Sequence, residues 1–393
     1  MMQIELGKSV ELVTKGTTPT SLGENFTESG IKFLRAQNVV DGKILIDDDI
    51  LFIDNETHNS KLKRSHILKG DVLLTIAGTI GRTAIVEIDE ELNCNQAVAI
   101  IRLGNSEIHP NFLCHFFATS NAQSQFTMGK VTATIPNLSL SQIKKLKIPL
   151  PPIDQQKKIA AILDAADAYR QKTKALIEKY DELTQSLFLD MFGDPVSNPR
   201  GWEKVELGKV LDVRDGTHDS PKYKESGYPL VTSKNIKNGK LILDDVNYIS
   251  EEDYNKINLR SKVDVGDIIM PMIGTIGNPL LVDFEVNFAI KNVALFKFKD
   301  NSIIINKMLL NLLNGHFLER FSSLNNKGGT QKFVSLGDIR KMIVPIPPLH
   351  LQNQFAERVA VIEEQKAIAQ KSLAQAEDLF NSLLQRAFKG ELS

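Results

Sequence analysis

The residues of this chain that come nearest to a chemical motif are two GTIG tetrapeptides. One closes GDVLLTIAGTIG from Gly70 and the other closes GDIIMPMIGTIG from Gly266. A glycine-rich turn behind an apolar strand can cradle a phosphate, but GTIG matches neither G-x-G-x-x-G nor G-x-x-x-x-G-K-[ST]. The plainer reading is a tight turn between strands, with glycine supplying positive φ. Arg82 beside the first copy leaves open a turn that also faces a nucleic-acid backbone. No G-x-S-x-G, H-E-x-x-H, P-loop or (D/N)-P-P-(Y/F) stretch is present, so no catalytic residue set is expected. His109, Cys114 and His115 lie close together without the paired spacing of a zinc site, and no metal is expected.

The polar, basic stretches suit binding better than catalysis. MGKVTATIPN (128–137) offers Lys130, Thr132 and Thr134, and NNKGGTQKFVS (325–335) offers Lys327, Gln331 and Lys332 at the matching place. Such side chains on a glycine-flanked loop donate to phosphates and to base edges in a groove. The same stretches also read as solvated loops before a helix cap. Further DNA-binding candidates are Lys61, Lys63 and Arg64 of KLKRS, and Arg35, Gln37 and Asn38 of RAQN. Thr232, Lys234 and Asn235 of the counterpart TSKN join them, with Lys222 and Lys224 of GTHDSPKYK. Lysine and arginine total 47 against 48 acidic residues, a formal net charge of -1, so any nucleic-acid surface must be local.

The elements that would position these residues occur twice. Gly266 follows Gly70 by 196 residues, IELGKSVELV from Ile4 returns as VELGKVLDV from Val205, and IPNLSLSQIKKLKIPLPPI (135–153) returns as QKFVSLGDIRKMIVPIPPL (331–349). A period this long is a tandem duplication of a domain, not a solenoid repeat. VLLTIA, AVAIIRL, IIMPMI and VALFKF read as strands, and HPNFLCHFFATS and NKMLLNLLNGHFLERF as helices. Ser139 with Gln142, and Ser335 with Asp338, read as helix N-caps. After Pro151-Pro152 and Pro347-Pro348 the period changes to alternating steps of four and three. The first line runs Ile162, Ala166, Tyr169, Thr173, Leu176, Tyr180, Leu183, Leu187, and the second runs from Phe355 through Val359, Ile362, Leu373 and Phe380 to Ala387. That is a coiled-coil seam. The expected fold is therefore α+β. Globules at 1–152 and 193–348 are separated by long helices at 153–192 and 349–393, which pair as an antiparallel coiled coil in a pseudo-twofold particle. Two cysteines without C-x-x-C, a start lacking a signal-peptide pattern, and no apolar run of about 18 to 20 residues point to a cytoplasmic protein with no membrane contact.

Gly-Trp-Glu-Lys-Val-Glu-Leu-Gly-Lys-Val from Gly201, the twin GD-(V/I)-(L/I) stretches with GTIG, the IPLPPI and VPIPPL junctions followed by Gln156 and Gln352, and the closing LLQRAFKGEL together resemble the specificity (S) subunit of type I restriction-modification systems. The resemblance covers the whole chain. One departure is that the first copy begins at IELGK without the Gly-Trp lead-in. The resemblance implies two target-recognition domains, each reading one half of a bipartite site in double-stranded DNA, and two helices that set the gap. It also implies two modification subunits docked on those helices, bringing S-adenosylmethionine and adenine methylation, and restriction subunits bringing ATP-driven translocation and cleavage, with no cofactor on this chain. The copies differ at RAQN against TSKN and at VTATIPN against GGTQKFV, which implies an asymmetric site. A self-contained methyltransferase would need a cofactor loop and a catalytic tetrapeptide that are absent. A coiled-coil scaffold for proteins would not bind DNA, and a dimeric transcription factor would favour a palindrome.

Overall fold

The computed structural model describes residues 3–40, 42–127, 137–273, 277–315, 317–318, 320–321 and 334–392. The chain divides into two units, Met1–Lys174 with Lys371–Ser393, and Ala175–Gln370.

The first unit is built on a four-stranded antiparallel sheet in the order Leu12–Lys15, Val98–Arg102, Val72–Thr75, Thr83–Ile85. Its central strand Val72–Thr75 is buried at every position, because both faces of the sheet are covered. Val72, Leu74, Ala99 and Ile101 point into one apolar cluster, while Leu73, Val98 and Ile100 point into another, which is the two-residue alternation of a pleated strand. A second sheet pairs Ile31–Leu34 antiparallel with Leu51–Ile53 and parallel with Leu92–Cys94. Gln3–Glu5 pairs with Lys147–Pro149 and closes the domain just before its long helix. Between these strands lie the helices Pro110–Ala118, Ser120–Thr127 and Leu140–Lys145.

The second unit repeats this topology. Its four-stranded sheet runs Asp212–Asp215, Val293–Lys297, Ile268–Pro271, Leu280–Leu281. Tyr228–Val231 pairs antiparallel with Asn247–Ile249 and parallel with Ala289–Ile290, and Glu203–Glu206 pairs with Ile343–Ile346. Ile268, Met270, Ala294 and Phe296 again face one cluster while Ile269, Val293 and Leu295 face the other. Both expected caps form as reciprocal capping boxes, with the Ser139 hydroxyl accepting from Gln142 N at 3.2 Å and that of Ser335 from Asp338 N at 3.0 Å.

Two long helices complete the chain, the central Ile153–Phe192 and the C-terminal Leu349–Lys389. In the first unit they run in opposite directions, since Gln155 Nε2 donates to Leu392 O at 3.2 Å and the Tyr169 and Ser372 hydroxyls meet at 2.8 Å. Ile159, Leu163, Phe380, Leu384 and Ala387 bury a seam there against Phe112. In the second unit Lys366 pairs with Asp181, and Phe188, Phe192 and Phe355 pack with ring centroids 5.2 to 5.7 Å apart.

Candidate nucleic-acid interface

The repeated Gly-Asp does structural work in both units. Asp71 is buried beneath the sheet and accepts a two-pronged bond from Arg102, 2.9 Å to Nε and 2.8 Å to Nη2, while its Oδ2 also accepts from Leu68 N at 2.8 Å. The bond that Arg102 donates to Asp71 holds its guanidinium further toward the charged form. Asp267 takes the same position with Lys297 at 2.6 Å and Asp264 N at 2.8 Å, and burial pushes its carboxyl above the usual range despite that lysine. The first GTIG is a tight turn. Gly78 and Gly81 have φ of 72° and 95°, and Thr75 Oγ1 donates to Thr79 O at 2.5 Å and accepts from Arg82 N at 3.0 Å. Arg82 ends this turn exposed. In the second copy Gly277 has φ of 99°, and 274–276 lie outside the described residues.

The candidate DNA-binding residues separate into three groups. Asn38 and Asn235, each 2% exposed, are spent on their own turns. Asn38 Oδ1 accepts from Arg35 N at 2.8 Å while Nδ2 donates to Leu45 O at 3.0 Å. Asn235 Oδ1 accepts from Thr232 N at 3.1 Å and Thr232 Oγ1 at 3.0 Å, and its Nδ2 donates to Ile242 O and Asp245 O, both at 3.1 Å. These two asparagines shape the RAQN and TSKN turns, their amides buried and bonded within them. Around them, Arg35 donates to Asp49 O at 2.6 Å, exposed Gln37 lies 3.5 Å from the Asp49 carboxylate, and Lys234 pairs with Asp245 at 2.9 Å.

The second group is exposed: Lys61, Lys63, Arg64, Arg82, Lys222 and Lys224. Lys61 pairs with Glu24, and Arg64 donates to Thr17 Oγ1 at 2.7 Å. The third group, Lys130, Thr132, Thr134, Lys327, Gln331 and Lys332, lies outside the described residues.

On the C-terminal helix the seam follows the expected line: Phe355, Val359, Ala369, Ala376, Phe380 and Ala387 are buried, with Ile362 and Leu373 half-buried. On the central helix the expected line is half right. Ala166, Thr173, Tyr180 and Leu187 turn inward, but Ile162, Tyr169, Leu176 and Leu183 are 40%, 53%, 43% and 49% exposed. Their neighbours Leu163, Arg170, Ile177 and Thr184 occupy the inward positions instead. Both lines alternate four and three, and adjacent apolar pairs such as Ile162-Leu163 and Leu176-Ile177 make them equal in pattern. In the first unit, contacts made by the inward line decide between them: Leu163 is fully buried, and the Arg170 guanidinium lies over the Phe380 ring, 4.6 Å from its centroid.

Two further features stand out at the junctions and first loops. Gln156 and Gln352, each four residues beyond its Pro-Pro, are completely buried. Gln156 Nε2 donates to Glu107 O and Pro151 O, both at 2.8 Å, and its Oε1 accepts from His109 N at 2.9 Å. Gln352 repeats this with Ile303 O at 2.9 Å, Pro347 O at 2.7 Å and Ile305 N at 3.0 Å. Gly16 and Gly216 each lie directly on a strand end, where an added Cβ would stand 1.9 Å from Cys94 O or 2.3 Å from Ile290 O. In sequence these first loops read Gly-Thr-Thr in one copy and Gly-Thr-His in the other. Burial pushes the Cys94 and Cys114 thiols up to about 12, which makes both poor nucleophiles and poor metal ligands. His115 is taken up by Asp164, 2.7 Å away. Among the described residues no group of three or more His, Cys, Asp or Glu could hold a metal ion, and no helix is long and apolar enough to cross a membrane.

The family model described as type I restriction modification DNA specificity domain matches residues 4–180 and again 199–378. The specificity subunit of the type I restriction enzyme EcoBI from Escherichia coli is 22% identical, over 98% of this chain and 85% of that protein. Two solved structures share the fold. One is a chain from a study of complex assembly and conformational transition of the type I R-M system, with TM-score 0.57, 20% identity, and coverage of 100% of this chain and 98% of the other. The other is the S subunit of a type I restriction-modification system from M. genitalium, with TM-score 0.55, 16% identity, and coverage of 98% and 96%.

Proposed function

This chain belongs to the family of type I restriction modification DNA specificity domains, which it carries in two tandem copies, and from that membership we propose how it works. Each recognition domain, at 1–152 and 193–348, reads one half of an asymmetric bipartite site in double-stranded DNA. The helices at 153–192 and 349–393 set the gap between the halves and dock two modification subunits. The chain performs no chemistry of its own. S-adenosylmethionine and the methylating residues belong to the modification subunits, and ATP to the restriction subunits that join them.

The observation that carries this reading is the duplication itself. One topology is built twice, on the same buried Gly-Asp joint and the same buried glutamine, while the loops above it differ between copies. A protein that read the same word twice would have no reason to vary its loops on so constant a scaffold. The exposed cations Lys61, Lys63, Arg64, Arg82, Lys222 and Lys224 supply local positive charge that a net charge of -1 does not. Ile162 in the first unit, and Leu176 and Leu183 in the second, are exposed apolar side chains of the central helix, suited to a partner helix.

The test is to express the chain with its cognate modification subunit and map methylated adenines across the host genome. Methylation at one two-part, non-palindromic word is expected, and none when this chain is omitted. Methylation of a palindrome, or of no defined word, refutes the reading.

A further inference from the structure

The tandem copies pin one loop at matching points of their strands, with a turn one residue shorter in the second copy, and above it a pair of side chains changes. In the first unit Gly16 N donates to Val98 O at 3.2 Å and Thr17 N to Cys94 O at 3.1 Å. In the second, Gly216 N donates to Val293 O at 3.0 Å and Thr217 N to Ile290 O at 3.0 Å. The loop is thus pinned at the same two points, on either side of the short turn at 95–97 or 291–292, and only glycine allows the approach. An arginine at the equivalent place reaches this loop in both units, Arg64 to Thr17 and Arg260 to Asp215.

Above this frame the residues differ. The Thr18 hydroxyl donates to Gln96 Oε1, and in the same position the His218 Nδ1 bonds Asn292 Oδ1 at 2.8 Å. Gln96 and His218 are exposed, and Thr18 and Asn292 are half-buried. In each unit the carbonyl oxygen of an amide side chain is thereby held by a neighbour. Among the described residues, the amide nitrogen of neither Gln96 nor Asn292 has a hydrogen-bond partner. An oriented amide with unspent N–H groups is the side chain that reads adenine through N6 and N7, or donates to another acceptor on a base edge. Cations flank both amides, Arg64 bonded to Thr17 in one unit, and Lys291 bonded to Ser220 with Arg260 paired to Asp215 in the other.

We propose that Thr18 with Gln96, and His218 with Asn292, are specificity-determining pairs, each presenting an amide to one base of its own half-site. The proposal rests on the reading that each unit recognises one half of a bipartite DNA site, and goes beyond it by naming the contacts.

The experiment uses the full chain reconstituted with its modification subunits and a duplex library randomised at both halves, read by adenine methylation. Asn292 has a left-handed φ of 54°, so Asn292→Gly removes the amide without straining the backbone. This variant is expected to lose roughly tenfold or more of its discrimination at one position of one half-site, leaving the other half unchanged. Gln96→Ala should do the same in the other half, and Thr18→Val should relax the same base as Gln96→Ala. A thermal melt of each complex verifies folding. Should Gln96→Ala not fold, Asn292→Gly decides the matter. Active complexes whose words are intact, or whose activity falls equally on all sequences, overturn the proposal. A wild-type complex that methylates without sequence preference would instead overturn the bipartite reading beneath it.

Discussion

Replacing Gln156 by methionine tests what fastens a recognition domain to its helix. Methionine fills nearly the same volume and is apolar, so packing is retained while three hydrogen bonds are lost: two donated to Glu107 O and Pro151 O at 2.8 Å, and one accepted from His109 N at 2.9 Å. The site is completely buried, so water cannot take the amide's place without opening it. At about 1 kcal/mol per bond the loss is about 3 kcal/mol, and more if the His109 N–H and the two carbonyls stay unpaired. For a unit of this size, about 2 to 4 °C of melting temperature follows each kcal/mol, which gives a fall of roughly 6 to 12 °C by scanning calorimetry. Gln352→Met should fall by a similar amount, because its bonds to Ile303 O, Pro347 O and Ile305 N repeat the geometry. Lys157→Ala, one residue along and exposed, should stay within about 0.5 kcal/mol of the parent. A loss below about 1 kcal/mol in both glutamine variants would refute the reasoning, since apolar contacts alone would then be holding the junction.

Three further outcomes are expected. Asn38→Ala should cost about 1 to 3 kcal/mol in chemical denaturation and leave the recognised word unchanged, while Gln37→Ala, at an exposed position, should change stability by less than about 0.5 kcal/mol. His218 should titrate above the ordinary imidazole value of about 6.5, because Asn292 Oδ1 and then the Asp215 carboxylate accept from its ring. Folding favours its charged form, so its stabilisation is present below the unfolded pKa and disappears as pH rises through the folded one. Ring-proton NMR should show the midpoint moving down in Asn292→Gly, and a midpoint at or below the ordinary value in the parent would contradict this. Finally, a heptad inserted between Leu176 and Leu183, with a matching one between Ile362 and Ala369, keeps the seam in register and adds roughly 10 Å of helix. Mapped methylation should show both half-words unchanged and the gap longer by up to about three base pairs, and an unchanged gap in an active complex would show that the helices do not measure it.

The parts of this fold that announced themselves in the sequence are those whose pattern has one physical solution. Val72–Thr75 and Ile268–Pro271 are continuous apolar runs bounded by Gly-Asp and a glycine turn, too short for a helix and buried on both faces as such runs require. The two-residue strands Val39–Val40, Lys43–Ile44 and Leu280–Leu281 carry no period to detect and exist because a neighbouring backbone pairs with them. Candidate DNA contacts were harder to read because residue type does not say where a polar group is spent. Asn38 and Gln37 are adjacent amides in one motif, yet the first is consumed by the Arg35 and Leu45 backbone while the second is exposed.

The same limit explains the seam of the central helix, and there the second strand of the coil supplies the missing information. Taken alone, Ile162, Tyr169, Leu176 and Leu183 make a more apolar line than Leu163, Arg170, Ile177 and Thr184, so composition favours the first although the spacing is the same. The C-terminal helix already brings Phe380 and Phe355 into the interface, so large apolar volume is provided from that side. What the facing positions need is complementary shape, and in the first unit Arg170 answers Phe380 with a flat guanidinium over its ring, supported by Asp167. A register chosen this way leaves Ile162 exposed in the first unit, where Tyr169 reaches back only by its hydroxyl to Ser372, and Leu176 and Leu183 exposed in the second. In a helix that had only its coiled-coil partner to satisfy, Ile162, Leu176 and Leu183 would be a liability. Their exposure supports the proposed docking of modification subunits on Ile162, Leu176 and Leu183, which the intramolecular seam leaves without a partner helix.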